Sequence, residues 1–228
     1  IVSAGDDGTA RVWDARSGEC IRVLDHHDGP VSGADISKDG QTIVTASADW
    51  MVRHWSMETL EPVKVFRGHE GAVLCVALDS FATYAISGGQ DCTLRMWNLK
   101  TGESIRTLRE EDPKPYSCIE LSTDPSTAVA VSRNRICIWN IKKGELLHSF
   151  AAHKSFIGTL SVTRTGDFAL TATPSGTLKL WDTVNIQCIR SLKGFAPAAL
   201  SGAGHVGISG NSEGKVQIWA IHATHDTF

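Results

Sequence analysis

Three features of this sequence predict an all-β chain, a succession of small four-stranded antiparallel sheets packed around an axis. Six of the seven tryptophans, Trp13, Trp55, Trp97, Trp139, Trp181 and Trp219, recur at gaps of 42, 42, 42, 42 and 38 residues. Each period holds four runs of four to seven residues rich in Val, Ile, Leu and Thr, split by Gly, Asp, Ser or Pro, which is the mark of short strands. No window of 11 or more residues carries helical periodicity. One such sheet cannot bury both of its faces. Stacking successive sheets around an axis covers them and shortens the exposed edges.

Dividing 228 by 42 gives about 5.4, so five repeats and a fraction are expected. The segments ending at the tryptophans read VSAGDDGTARVWD, VTASADWMVRHWS, ISGGQDCTLRMWN, AVSRNRICIWN, LTATPSGTLKLWD and ISGNSEGKVQIWA. Each is an apolar run, a turn and a short alternating strand. Gly18, Gly102 and Gly144 follow five residues after their tryptophans and mark the next turn. Runs such as CIRVL, SIRTL, LLHSF and CIRSL then supply the last strand. The expected layout is a partial repeat over 1–25, full repeats over about 26–67, 68–109, 110–151 and 152–193, and a partial repeat over 194–228. The first repeat lacks its opening strand. The last is four residues short and has no convincing fourth strand.

Composition narrows the function classes. The apolar fraction is 42% and the charged fraction 21%, ordinary for a folded globular chain. The net charge of −3 is too small for wholesale binding to nucleic acid or an anionic membrane. No apolar stretch is long enough for a membrane helix, so membrane insertion is not expected. The first residue, Ile1, falls in mid-pattern, which suggests a piece of a longer protein. Cys20, Cys75, Cys92, Cys118, Cys137 and Cys188 form no C-x-x-C pair. They read as small buried hydrophobes with free thiols, as in a reducing compartment: the cytoplasm, with the nucleus as the alternative.

The endings Trp13–Asp14 and Trp181–Asp182, the variants WN and WS, and the Gly68–His69 dipeptide 28 residues before Trp97 resemble the WD40 repeats of β-propellers. The resemblance covers essentially the whole chain. It implies blades of four strands each, and the two broken ends point to an arc cut from a seven-bladed ring.

His69, Ser87, Asp91 and Trp97 stand at −28, −10, −6 and 0 from the tryptophan, and His27, Thr45, Asp49 and Trp55 repeat that spacing. A Ser/His/Asp set invites a nucleophilic reading. Yet Trp only donates, a carboxylate only accepts, and a hydroxyl and His do both, so the four can satisfy one another inside a blade. The resemblance implies this structural tetrad, and an enzyme rarely needs several copies, so no catalytic residue is expected. The set decays along the chain. The first repeat keeps Ser3, Asp7 and Trp13. His153 and Thr171 remain before Trp181, with Ser175 for Asp. Glu111 stands at the His position before Trp139, and Phe195 and Glu213 replace His and Asp before Trp219.

Arg11, Arg53, Arg95 and Lys179 stand two residues before their tryptophans. They are expected to lay aliphatic stems on neighbouring strands and keep the charge in water; a phosphate-holding ladder is the alternative. His222 and His225 lie in a polar tail without a ligand framework, and no metal or cofactor is expected. No P-loop, dinucleotide fingerprint or G-x-S-x-G elbow occurs.

The resemblance also implies that the loops from the fourth strand to the next first strand, and from the second to the third, form a top face that binds partners. Candidate contacts there are Trp50, Leu74, Gln90, Lys114, Tyr116, Arg133, Arg135 and Phe156. Trp50, Tyr116 and Phe156 would anchor, with Arg133 and Arg135 setting the register. Lys114, Arg133 and Arg135 could read an acidic or phosphorylated segment, although Glu110, Glu111 and Asp112 lie close in sequence. The expected function is a non-enzymatic scaffold for partner proteins or peptides. The alternative is a regulatory or sensing module of a larger signalling or NTPase-type protein.

Overall fold

Turns built on glycine or on Asp and Asn side chains fold each repeat back on itself, so neighbouring strands in sequence become neighbours in space. The computed structural model describes residues 1–59, 61–124, 126–211 and 213–220. Among them every regular element is a strand, and no helix is long and apolar enough to cross a membrane. The six sheets are all antiparallel and follow chain order.

The first sheet is β1 (Val2–Ala4), β2 (Ala10–Trp13) and β3 (Cys20–Leu24). The second is β4 (Val31–Ile36), β5 (Thr42–Ser47), β6 (Val52–Ser56) and β7 (Pro62–Phe66). The third is β8 (Val73–Leu78), β9 (Tyr84–Gly89), β10 (Leu94–Asn98) and β11 (Ser104–Leu108). The fourth holds β12 (Tyr116–Leu121), β13 (Thr127–Ser132), β14 (Arg135–Asn140) and β15 (Glu145–Ala151). The fifth is β16 (Thr159–Val162), β17 (Phe168–Ala172), β18 (Thr177–Asp182) and β19 (Gln187–Lys193). The sixth, over the described residues, is β20 (Phe195–Leu200), β21 (Val206–Gly210) and β22 (Val216–Ala220).

In sheets one, two, three and five a bulge falls immediately before the tryptophan, at Val12/Trp13, His54/Trp55, Met96/Trp97 and Leu180/Trp181. A bulge bends its strand and re-aims the side chains beside it. In the third sheet Trp97 pairs with Ala85 and Arg95 with Ser87. That register fixes the Ser87 hydroxyl beside the indole.

The chain divides into two compact units: residues 1–119 with 141–146, and residues 120–140 with 147–228. In the first unit Trp55 packs with Val31 and Ile43 of its own sheet against Ala10, Val12 and Leu24. One repeat later, Trp97 sits with Val73, Val76 and Leu78 against Val44, Ala46, Val52 and Phe66. In the second unit Leu170, Ala172, Leu178 and Leu180 pack with Ala198 and Trp219. Within each unit these apolar sheet faces are thus closed by the sheet that follows. Burying such side chains is worth roughly 1.5–3 kcal/mol each.

Side chains on first strands tie successive sheets together. Asp35 accepts from the Leu78 amide at 2.8 Å in the first unit, and Glu120 accepts from Val162 at 2.8 Å in the second. Burial pushes the Asp35 carboxyl above its usual range, against the pull of the Leu78 and Ile36 amides.

Candidate interaction surface

The tetrad residues meet inside their blades. His27 Nδ1 lies 2.8 Å from Asp49 Oδ2 and its Nε2 lies 2.7 Å from Thr45 Oγ1, while Trp55 Nε1 donates to Thr45 Oγ1 at 2.9 Å. In the next blade His69 lies 2.8 Å from Asp91 and 2.7 Å from Ser87, and Trp97 donates to Ser87 at 2.8 Å. Burial lowers the affinity of both imidazoles for protons, so each is neutral near pH 7. Burial alone would raise Asp49, but the His27, Met51 and Arg53 hydrogen bonds outweigh it and hold the carboxyl at about 2. The same balance lowers Asp91.

These groups cannot act on a substrate from solution. Ser87 and Thr45 are wholly buried, and the His69 side chain is only 1% exposed. Each hydroxyl also accepts the indole N–H. The set cross-links the third strand, the second strand and the preceding loop of one blade.

The network has a further member that sequence reasoning placed differently. Arg53, expected to keep its charge in water, is buried and donates to Asp49 Oδ2 at 2.6 Å. Arg11 makes the same contact to Asp7 at 2.6 Å, and Arg95 lies 3.9 Å from Asp91. The sequence signal was available: Arg accompanies Asp four residues earlier in three repeats. Where Ser175 replaces Asp, Lys179 turns instead to the Ala152 carbonyl at 2.7 Å and lies over the Trp181 ring.

The weaker blades keep part of the chain. Trp13 donates to Ser3, Trp181 to Thr171 and Trp219 to Ser209, at 2.8, 2.9 and 3.0 Å. In the fourth sheet Ala130 faces Cys137, the pairing position that Ser87 takes opposite Arg95. Trp139 Nε1 is accordingly buried without a hydrogen-bond partner among the described residues.

The candidate surface residues part company in the structure. Trp50 is 52% exposed and adopts φ +73°, in the turn between β5 and β6. Gln90 is exposed and Leu74 half-buried. Lys114 is half-buried and paired to Asp112 at 2.5 Å. Tyr116 is a correction: it is fully buried, packs over Gly88 and donates to Glu110 at 3.1 Å, so it offers no surface anchor. In the second unit Phe156 is 57% exposed and Arg133 is exposed with φ +56°. The two adjoin, because Ile157 N donates to the Arg133 carbonyl at 2.7 Å. Arg135 is also corrected. Its guanidinium is folded onto Ser149, with bonds of 3.0, 2.9 and 2.8 Å, and is not presented to a partner.

Among the described residues no group of three or more His, Cys, Asp or Glu is placed to hold a metal. His222 and His225 lie outside the described residues. No disulfide joins the six cysteines, but only Cys75 and Cys137 are buried as expected; Cys20 and Cys188 are exposed.

Comparison with known proteins accords with this architecture. The family model "WD domain, G-beta repeat" matches residues 1–14, 18–56, 60–98 and 144–182, more than half of the chain. A Xenopus laevis protein described as p21-activated protein kinase-interacting protein 1-like is 27% identical over 114 residues, covering 49% of this chain and 29% of that protein. A Gallus gallus protein of the same description is 34% identical over 68 residues, covering 30% of this chain and 18% of that protein. Both alignments span less than a third of those relatives. With tryptophans in register, His–hydroxyl–Trp chains in successive sheets and four matched repeats, the chain belongs to the WD40 family.

Proposed function

We propose that the chain is a non-enzymatic interaction scaffold whose top-face loops dock partner proteins or peptides. WD40 repeats are in general protein-interaction modules, and the finer reading rests on Trp50. At the corresponding turn position Gly8, Gly176, Gly214 and the small Cys92 take the same left-handed conformation. A bulky residue there costs roughly 1–2 kcal/mol relative to glycine, and its indole is left half in water. An exposed aromatic on a rigid turn suits an interface anchor. In the second unit the adjoining Phe156 and Arg133 supply a comparable aromatic and cation.

The two relatives are named for interaction with a p21-activated protein kinase, which makes such a kinase the first partner to test. Trp50→Gly removes the anchor while suiting the backbone. The variant is expected to keep a cooperative melt at or above the wild-type midpoint and to bind the kinase at least about tenfold more weakly, a loss of about 1.4 kcal/mol. A folded Trp50→Gly, Phe156→Ala double variant that binds the kinase like the wild type would refute the top-face reading.

A further inference from the structure

The net charge of −3 conceals two opposite balances. The first unit carries 14 Lys and Arg against 19 Asp and Glu, and the second carries 8 against 6. Part of the first unit's excess is gathered in loops beside Trp50. Asp6 and Asp7 lie in the turn after β1 and Asp25 and Asp28 in the loop after β3; all four are exposed, and Asp7 is paired with Arg11.

These loops are joined. Val31 N donates to the Gly5 carbonyl at 3.0 Å, Ala48 N to the Pro30 carbonyl at 2.9 Å, and Asp28 N to Asp49 Oδ2 at 3.2 Å, one residue before Trp50. Two cations of the same surface are already paired. Arg11 is bound to Asp7 and Arg53 is buried on Asp49. Arg67 is exposed and lies 3.7 Å from the Met51 sulfur, a single charge against the carboxylates of Asp6, Asp25 and Asp28.

We propose that Trp50 and the carboxylates around it select a basic partner segment, one that lays a Lys or Arg side chain over the indole. The proposal rests on the docking role of Trp50 and adds the charge of its partner. The face of an indole attracts cations, and carboxylates within a Debye length add to that attraction and repel phosphate or acidic segments. This is the opposite sign to the acidic partner that the Arg133 and Arg135 positions suggest in sequence.

The test titrates an arginine–glycine peptide, and the same peptide with glutamate for arginine, against the whole chain by tryptophan fluorescence. The arginine peptide should bind and the glutamate peptide should not. Binding should weaken about tenfold or more between about 0.05 and 0.5 M salt. Trp50→Gly and the double variant Asp25→Lys, Asp28→Lys should each abolish the response. The control Glu19→Lys, Glu58→Lys, on the opposite turns, should leave it unchanged. Equal binding of both peptides, or an unchanged response in the Asp25→Lys, Asp28→Lys variant, overturns the proposal. If Trp50→Gly loses kinase binding while the Asp25→Lys, Asp28→Lys variant retains it, docking stands and the basic partner falls. If Trp50→Gly retains kinase binding, the docking reading itself falls.

Discussion

The Arg106 guanidinium lies across Gly144, donating to the carbonyls of Lys142 at 3.0 Å and Lys143 at 3.3 Å. A Cβ on Gly144 would fall 2.8 Å from Arg106 Nη1, and the residue holds φ +79°. Gly18 takes the corresponding place in the first repeat at φ +75°, with open space around it. Gly18→Ala should therefore cost only the left-handed backbone, about 1 kcal/mol. Gly144→Ala should cost about 1 kcal/mol more, because the guanidinium must leave its carbonyls. Urea unfolding of the two variants compares them directly, and equal losses would show that Arg106 contributes nothing there.

The intact and decayed networks should differ in stability. Asp91 accepts from His69, the Glu70 amide, and the amide and hydroxyl of Thr93. Ser175, in its place, shares weaker hydroxyl contacts with Thr173 and Ser155. Asp91→Ala should destabilise more than Ser175→Ala by about 1–2 kcal/mol. Denaturant melts that show equal losses would contradict the role given to the carboxylate.

Acid should weaken the fold through its buried imidazoles. Burial, aided by the Lys179 charge, holds His153 down at about 4. The unfolded chain binds a proton there near 6.5, the folded chain only near 4, so the contribution is complete above 6.5 and is lost as pH falls towards 4. It amounts to about 3 kcal/mol at most. His27 and His69 shift in the same direction. The urea midpoint should fall between pH 7 and 4.5, and His153→Gln should flatten part of that slope. A midpoint independent of pH in this window would be inconsistent with neutral buried imidazoles.

The unsatisfied Trp139 indole offers a gain. Ala130→Ser places a hydroxyl where Ser87 stands one blade earlier, and a new bond is worth about 1 kcal/mol. The variant should unfold at higher urea than the wild type. A lower midpoint would mean that the serine's own proton finds no acceptor.

The tetrads were legible because hairpin length fixes them. With a constant turn, strand register converts directly into the −10 and −6 spacings, and His27–Thr45–Trp55 and His69–Ser87–Trp97 follow. The fourth sheet escapes that rule: one turn residue fewer moves the pairing position from Val129 to Ala130. The Arg53–Asp49 contact was overlooked because a lone basic residue on a strand usually reaches water. The surface was least legible. Trp50 and Tyr116 both read as loop aromatics, yet Tyr116 opens β12 and covers a glycine where no Cβ intervenes. Only packing separates the two.

The tryptophan N–H can only donate and the aspartate can only accept, so the hydroxyl must give its proton to His Nε2 and the imidazole must carry its own on Nδ1. In the His69 blade the chain therefore runs in one direction, from indole to carboxylate, and locks a single tautomer. That makes His69 an internal reporter. Its imidazole should give a slowly exchanging Nδ1–H signal that vanishes when the blade opens, a spectroscopic gauge of one blade within the chain.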